Sequence, residues 1–478
     1  MSVKATSKNG TRIHLNPQLA LLFPLARTDG NGVSETKALW LTERLRNQLE
    51  RKEKSEYGTF KDSLRAPVHR WFKYPAGYSY KFVEAKMKMA GITARHWVFD
   101  PFVGSGTTLV EAKRHNVNSI GIEAHPFVAW VAKVKTNWNI DPEEIVSAYN
   151  TIIQRARDLA NLGDTLTREI PELVHKCYSN RNLVALTAIR DAIKECVRRP
   201  DVADFLNMAL TDTLRNASKA ATGWPYVSPS RIHAKVEERE AFPEFRVQVD
   251  RMLDDIQFMR MHYGMNHAKC NVLEGDAREN HNEVRRGTVD LALTSPPYLN
   301  NYDYADRTRL ETYFFGWYRS WGEITERVRD RLMMSATTQV RRAAFEDYSR
   351  LRHTMAELDK KLLFELQEKV QLMGERRKEK GGKKSYDCMV AGYFSDMVQV
   401  FKNVYDSLKT GACFVLVLGD SAPYGVHIPT DLYLARIGKA IGFSKSSLEV
   451  LRTRGDKWHN NPQRHKVKLR EAILTLTK

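Results

Sequence analysis

Short apolar runs recur along the chain at strand length, each closed by a turn signal. HWVFD (96–100) passes directly into PFVGSGTT, and NSIGIEA (118–124) is a second run of the same kind. Helical periodicity fills the intervals between Pro67 and Asn137. This alternation predicts a parallel sheet with crossover helices. The runs resume at NVLEGDA (271–277) and VDLALTSP (289–296), then at ACFVLVLGD (412–420), LEVLRT (448–453) and EAILTLTK (471–478). Together they predict one α/β sheet of about seven strands.

Two helical stretches interrupt it. The first opens at IDPEEIVSAYN, with Asp141 as cap, Pro142 at the first helical position and Glu144 in the first turn. It continues to about residue 265, broken by ATGWPYVSPSR (221–231). In the second, Leu351, Met355, Leu358, Leu362, Leu366, Val370 and Met373 fall at three- and four-residue steps. That stripe reads as core or helical-hairpin packing. The stretch ends in ERRKEKGGKK (375–384), a loop that is either solvated or phosphate-binding. The expected division is an N-terminal arm (1–60), a sheet in three parts (61–140, 266–305 and 386–478), and helical insertions at 141–265 and 306–385.

Two strand ends are chemically unusual. Asp100 closes one run, and Gly104 and Gly106 follow in the turn that starts a helix. Glycines there let a ligand approach the backbone, with free N–H groups behind them. No Gly-Lys-Ser/Thr follows, so this is not a phosphate-binding P-loop, and Leu109 replaces the third glycine of a dinucleotide fingerprint. Glu123 and Asp276 sit at two further strand ends. Singly, each is as well explained as a cap or turn residue. With the glycine corner they describe a pocket for an adenosine moiety, Glu123 toward ribose hydroxyls and Asp276-Ala277 toward an adenine edge. The run VDLAL ends in TSPPY (294–298), a corner that cannot continue a central strand because proline has no N–H to give.

Charge adds a partner. The 478 residues carry 75 Lys and Arg against 57 Asp and Glu, a formal net charge of +18, and nucleic acid is the first polyanion to expect. General solubility is the plainer reading. Five cysteines without a CxxC pair suggest a reducing compartment, no zinc ribbon and no bound metal. No apolar run is long enough for a bilayer, and MSVKATSKNGTRIHLNP lacks the apolar core of a signal peptide. The expected location is the cytoplasm of a prokaryotic cell, at the nucleoid.

DPFVGSGTT together with TSPPY resembles the S-adenosylmethionine-dependent amino-methyltransferases of DNA, whose cofactor and catalytic motifs these are. HRWFKYPAGYSYKFVEAKM (69–87) is similar to the family's extra cofactor element, and GACFVLVLGDS fits a later strand. The resemblance covers roughly 67–137, 271–305 and 386–478, about half the chain. It implies a class I methyltransferase-like fold, Rossmann-like, with a seven-stranded, mostly parallel sheet and two helical insertions. It implies that Asp100, Phe102, Gly104, Gly106 and Thr107, with Tyr78 and Ser79, line the methionine part of S-adenosylmethionine. Glu123 would hold the ribose, and Asp276 and Ala277 would meet the adenine. Ser295, Pro296, Pro297 and Tyr298 would be catalytic.

In that reading the Ser295 hydroxyl and the Pro296 carbonyl accept from an exocyclic amine, freeing a lone pair otherwise conjugated into the ring. Tyr298 stacks on a base flipped from double-stranded DNA, with Tyr302 and Tyr304 nearby. A first-position Asp is usual for adenine N6 and Ser for cytosine N4, so Ser295 favours N4-methylcytosine. N6-adenine, RNA amino-methylation and an inactive DNA-binding protein are the alternatives. Carbon-5 methylation needs a Cys after a proline, and none of the five has one. Lys380, Lys383, Lys384, Arg341, Arg342, Arg454 and Trp458 are the candidate DNA contacts. Either insertion could read the target. No nuclease signature stands out, so any restriction nuclease would be encoded separately.

Overall fold

The computed structural model describes residues 4–6, 12–14, 57–74, 77–221, 228–232, 238–264, 267–300, 302–341, 347–454 and 468–478. The chain divides into two units, 1–53 and 54–478. In the first, strands Lys4–Thr6 and Arg12–His14 pair antiparallel.

The second unit holds seven strands in one sheet. They are β1 (Trp97–Asp100), β2 (Asn118–Glu123), β3 (Cys270–Glu274), β4 (Val289–Thr294), β5 (Leu408–Gly419), β6 (Lys445–Arg454) and β7 (Leu469–Thr477). Their order is β6-β7-β5-β4-β1-β2-β3, and only β7 runs against the rest. The seven-stranded, mostly parallel sheet is the architecture expected from the apolar runs.

The chain moves outward from β1 through β2 to β3, then returns to place β4 on the other side of β1. Val98 lies opposite Leu291, and Phe99 opposite Ala292. Such a reversal opens a crevice at the carboxyl ends of the two central strands. The runs are apolar throughout because both faces are covered. Val98, Leu291, Leu293, Val415 and Val417 share one core with Phe82, Val83 and Met87 of helix α1 (Tyr80–Met89). The alternate residues Phe99, Ala292, Phe414, Leu416 and Leu418 join a second core. That period of two is the pleat of the sheet.

The other long helices are α2 (Thr107–Arg114), α3 (Pro126–Thr136), α4 (Pro142–Ala160), α5 (Asn180–Cys196), α6 (Pro200–Asn216), α7 (Ala241–Tyr263), α8 (Lys360–Glu379), α9 (Tyr386–Ser407) and α10 (Thr430–Ile441). Helices α4 to α7 make up most of the first insertion. It is not a separate body: its residues share one core with 68–74, with α3 and with 305–328. Asp255 of α7 fastens it by accepting from the backbone N–H of Val68 and the indole N–H of Trp71, each at 2.9 Å. In the second insertion the apolar stripe is core, with Leu351, Met355, Leu362, Leu366, Val370 and Met373 fully buried and Leu358 packed at its edge. No helix among the described residues is long and apolar enough to cross a membrane.

Candidate active site

The crevice between β1 and β4 holds a cavity of about 770 Å³, counted out to its open mouth. Its wall includes Tyr78, Phe102, Gly104 and Thr107 from the glycine corner, Glu123, Asp276 and Ala277 from the next two strand ends, and Ser295 and Pro297 from the proline corner. Segments up to about 220 residues apart in the chain therefore face one space.

Gly104 has φ +54 and turns its N–H onto Oε2 of Glu123 at 2.9 Å. Oε1 of Glu123 accepts from the N–H of His125 at 2.9 Å. Burial pushes the Glu123 carboxyl up to about 7, against the two backbone N–H groups, with nearby Asp100 adding to the rise. Each oxygen keeps lone-pair capacity for a further donor.

Some expected residues stand elsewhere. Asp100 is fully buried behind the wall rather than lining it. It accepts from the N–H of Phe102 at 2.9 Å and from the hydroxyls of Thr294 at 2.6 Å, Thr108 at 2.5 Å and Tyr78 at 3.4 Å. Burial raises its carboxyl to about 6 despite these donors. Gly106, with φ +90, does not line the cavity either. A side chain there would meet Ala132 of α3 at 3.4 Å, so the glycine serves helix packing. Ser79 is buried as the cap of α1, accepting from the N–H of Lys81 at 3.2 Å. Pro296 and Tyr298 also lie outside the lining. Tyr298 donates its hydroxyl to Glu471 of β7 at 3.1 Å, and Glu471 pairs with Arg452 of β6 at 2.6 Å.

Other lining residues escaped the sequence reading. Tyr74 lies inside the 69–87 segment and packs near Tyr304, 6.3 Å between ring centres. Leu332 and Met333 carry no signal in sequence. Arg278, two residues beyond Asp276, clasps that carboxylate. Among the DNA candidates, Tyr302 is half-buried away from the lining, Lys383 and Lys384 are exposed past the end of α8, and Arg341 pairs with Asp330. Arg454 ends β6; its side chain, Arg342 and Trp458 lie outside the described residues.

Residues 12–133 match the N6/N4 DNA methylase family profile. The chain is similar to the type II methyltransferase M.BsoBI of Geobacillus stearothermophilus, 22% identical over 85% of this chain and 84% of that one. It is 24% identical to the type II methyltransferase M.AvaI of Nostoc sp., over 86% and 85%. A further relative, the type II methyltransferase M.MvaI of Kocuria varians, is 23% identical over 50% and 55%. These likenesses support a DNA amino-methyltransferase of the N4/N6 family.

Type II methyltransferases of this family use S-adenosylmethionine as the methyl donor. The cavity suits it: bare backbone at Gly104, a carboxylate with remaining acceptor capacity at Glu123, and a second acid beyond it at Asp276. Tyr78 adds a ring to the wall; burial drives the pKa of its hydroxyl well above the usual range, so it stays protonated within the buried Asp100 and Thr108 network.

Proposed function

We propose that this methyltransferase modifies double-stranded DNA at the exocyclic N4 amine of a cytosine flipped into the cavity. The observation that carries the reading is that Gly104 and Ser295, at the ends of neighbouring strands, face the same space. S-adenosylmethionine supplies a sulfonium methyl group when bound there. Gly104, Phe102, Thr107 and Tyr78 surround its methionine end, Glu123 accepts from the ribose, and Asp276 with Ala277 meets the adenine.

The Ser295 hydroxyl and the Pro296 carbonyl accept hydrogen bonds from the target amine, which lets its nitrogen become tetrahedral. Prolines on both sides of that carbonyl's peptide hold its direction before the base arrives. A base cannot be reached inside the duplex, so it must leave the stack. The net charge of +18 supports a polyanionic partner. Cytosine rests on Ser295 standing where adenine enzymes of the family usually carry Asp. The relatives' designation as type II methyltransferases supports a role in modification.

The test is incubation with double-stranded DNA and methyl-labelled S-adenosylmethionine, followed by nucleoside mass spectrometry. N4-methylcytosine is the expected product. N6-methyladenine would overturn the base assignment alone, and absence of labelled nucleoside with correctly folded protein would overturn the activity.

A further inference from the structure

Arg278 stands directly behind the acid assigned to the adenine. Its backbone N–H donates to Oδ1 of Asp276 at 2.9 Å. Its Nε lies 2.9 Å from Oδ1 and 2.8 Å from Oδ2, and its Nη2 lies 2.5 Å from Oδ2. The same guanidinium donates through Nη1 to Asp396 of α9 at 3.0 Å, and through Nη2 to the carbonyl of Arg331 at 3.1 Å.

Asp396 is fully buried. It also accepts from the N–H of Met334 at 2.8 Å and pairs with Arg350 at 2.5 Å. Met333, next in the chain, lines the cavity. One planar side chain therefore joins the end of β3, helix α9 and the 332–334 wall. A guanidinium holds a carboxylate in a defined plane, which a lysine ammonium does not. With the guanidinium across both oxygens of Asp276 and the backbone N–H also on Oδ1, the acceptor capacity that remains is on Oδ2, in a direction fixed relative to the cavity.

We propose that Arg278, braced by Asp396, is a positioning residue that aims the free acceptor direction of Asp276 at the 6-amino group of the bound adenine. It thereby sets the preference for a 6-aminopurine at that end of the site. The inference rests on the reading that Asp276 meets the adenine. It assigns a function to two residues that lie outside both motifs and far apart in sequence.

The experiment compares dissociation constants for S-adenosylhomocysteine and for S-inosylhomocysteine, in which a carbonyl replaces the amine, by calorimetry on the full chain. The wild type should favour the amino compound about tenfold or more, the worth of one well-placed hydrogen bond. Arg278→Lys, which keeps the charge, should bring that ratio toward unity while affinity for the inosyl compound changes little. Loss of Arg278 leaves Asp396 to Arg350 and the Met334 N–H alone, so the double variant Arg278→Gln/Asp396→Asn removes both charges of the brace and should show the same fall in ratio. Far-ultraviolet dichroism and melting confirm that each variant is folded.

A general loss of packing would weaken both ligands alike and leave the ratio intact. That result in the Arg278 variants, with a collapsed ratio in Asp276→Ala, overturns the positioning role and leaves the pocket reading standing. An unchanged ratio in Asp276→Ala overturns the adenine assignment, and this inference with it.

Discussion

Thr294 donates its hydroxyl to Oδ1 of Asp100 at 2.6 Å, joining the last residue of β4 to the last residue of β1. The glycine corner and the proline corner each begin at one end of this bond. Their relative position is thus set by a buried carboxylate rather than by either loop.

Replacing Thr294 by Val removes that donor and leaves the shape nearly unchanged. Asp100 is fully buried, so the loss should cost about 1–3 kcal/mol in urea denaturation. Thr294→Ser should retain most of the stability. Equal stability of the Val variant would show that the two strand ends are held by packing alone.

Ser295→Ala should lower single-turnover methylation by about a hundredfold, the scale of one preorganised hydrogen-bonding group. Calorimetric affinity for S-adenosylhomocysteine should stay within about twofold, because the hydroxyl acts on the amine rather than on the cofactor. A matching loss in affinity would move Ser295 to the cofactor side.

Gly104 and Gly106 should fail differently. Gly104→Val places a branched side chain at φ +54 on the cavity wall, so cofactor binding should be lost. Gly106→Ala meets Ala132 and keeps φ +90, so it should lose about 1–3 kcal/mol of stability. In that variant the loss in affinity should be smaller than in Gly104→Val. Titration calorimetry beside urea denaturation separates the two effects.

Acidity should act through Glu123. Its carboxyl is raised from 4.5 to about 7, chiefly by burial, so the folded protein holds a proton the unfolded chain releases. This group's contribution to stability is therefore full below pH 4.5 and is lost as pH rises through about 7. Asp100, raised from 3.8 to about 6, acts in the same direction over a lower window. Ribose hydroxyls need an accepting carboxylate, so cofactor affinity should strengthen as pH rises through about 7. Glu123→Gln should flatten that affinity profile and weaken binding at alkaline pH. Melting with and without S-adenosylhomocysteine across this range decides it, and an unchanged profile in the Gln variant would reassign the titration.

Tyr298 should contribute through its ring. Tyr298→Ala should weaken DNA binding by about 1–3 kcal/mol, the range for a base stacked on an aromatic side chain. Glu471→Gln leaves the ring but weakens its tether, and should lower turnover more than DNA affinity. Equal DNA affinity for Tyr298→Ala in a fluorescence titration would remove the base-stacking role.

Much of the site was readable because its signals are local. A strand shows as a run of apolar residues, a bare backbone as Gly104, and a strand stop as Pro296-Pro297. The residues that hold the site were not readable in this way. Asp100 resembles a lining acid in sequence, but burial turned it inward to Thr294, 194 positions away. Nothing local marks Glu471 as the partner of Tyr298, 173 positions away, or Asp396 as the brace of Arg278, 118 positions away. The first insertion reads only as a helical stretch, because helical periodicity gives an apolar face but not its partner, and here that face packs into the core around α3.

By itself the sequence determined the element types, the seven strands, the two corners and the family they resemble, since each depends on neighbours within a few positions. The tertiary structure alone decided that β4 returns beside β1, which acids line the cavity and which are buried ties. Strand order and burial depend on which distant segments share a core, and hydrophobic free energy selects partners by area removed from water rather than by distance along the chain.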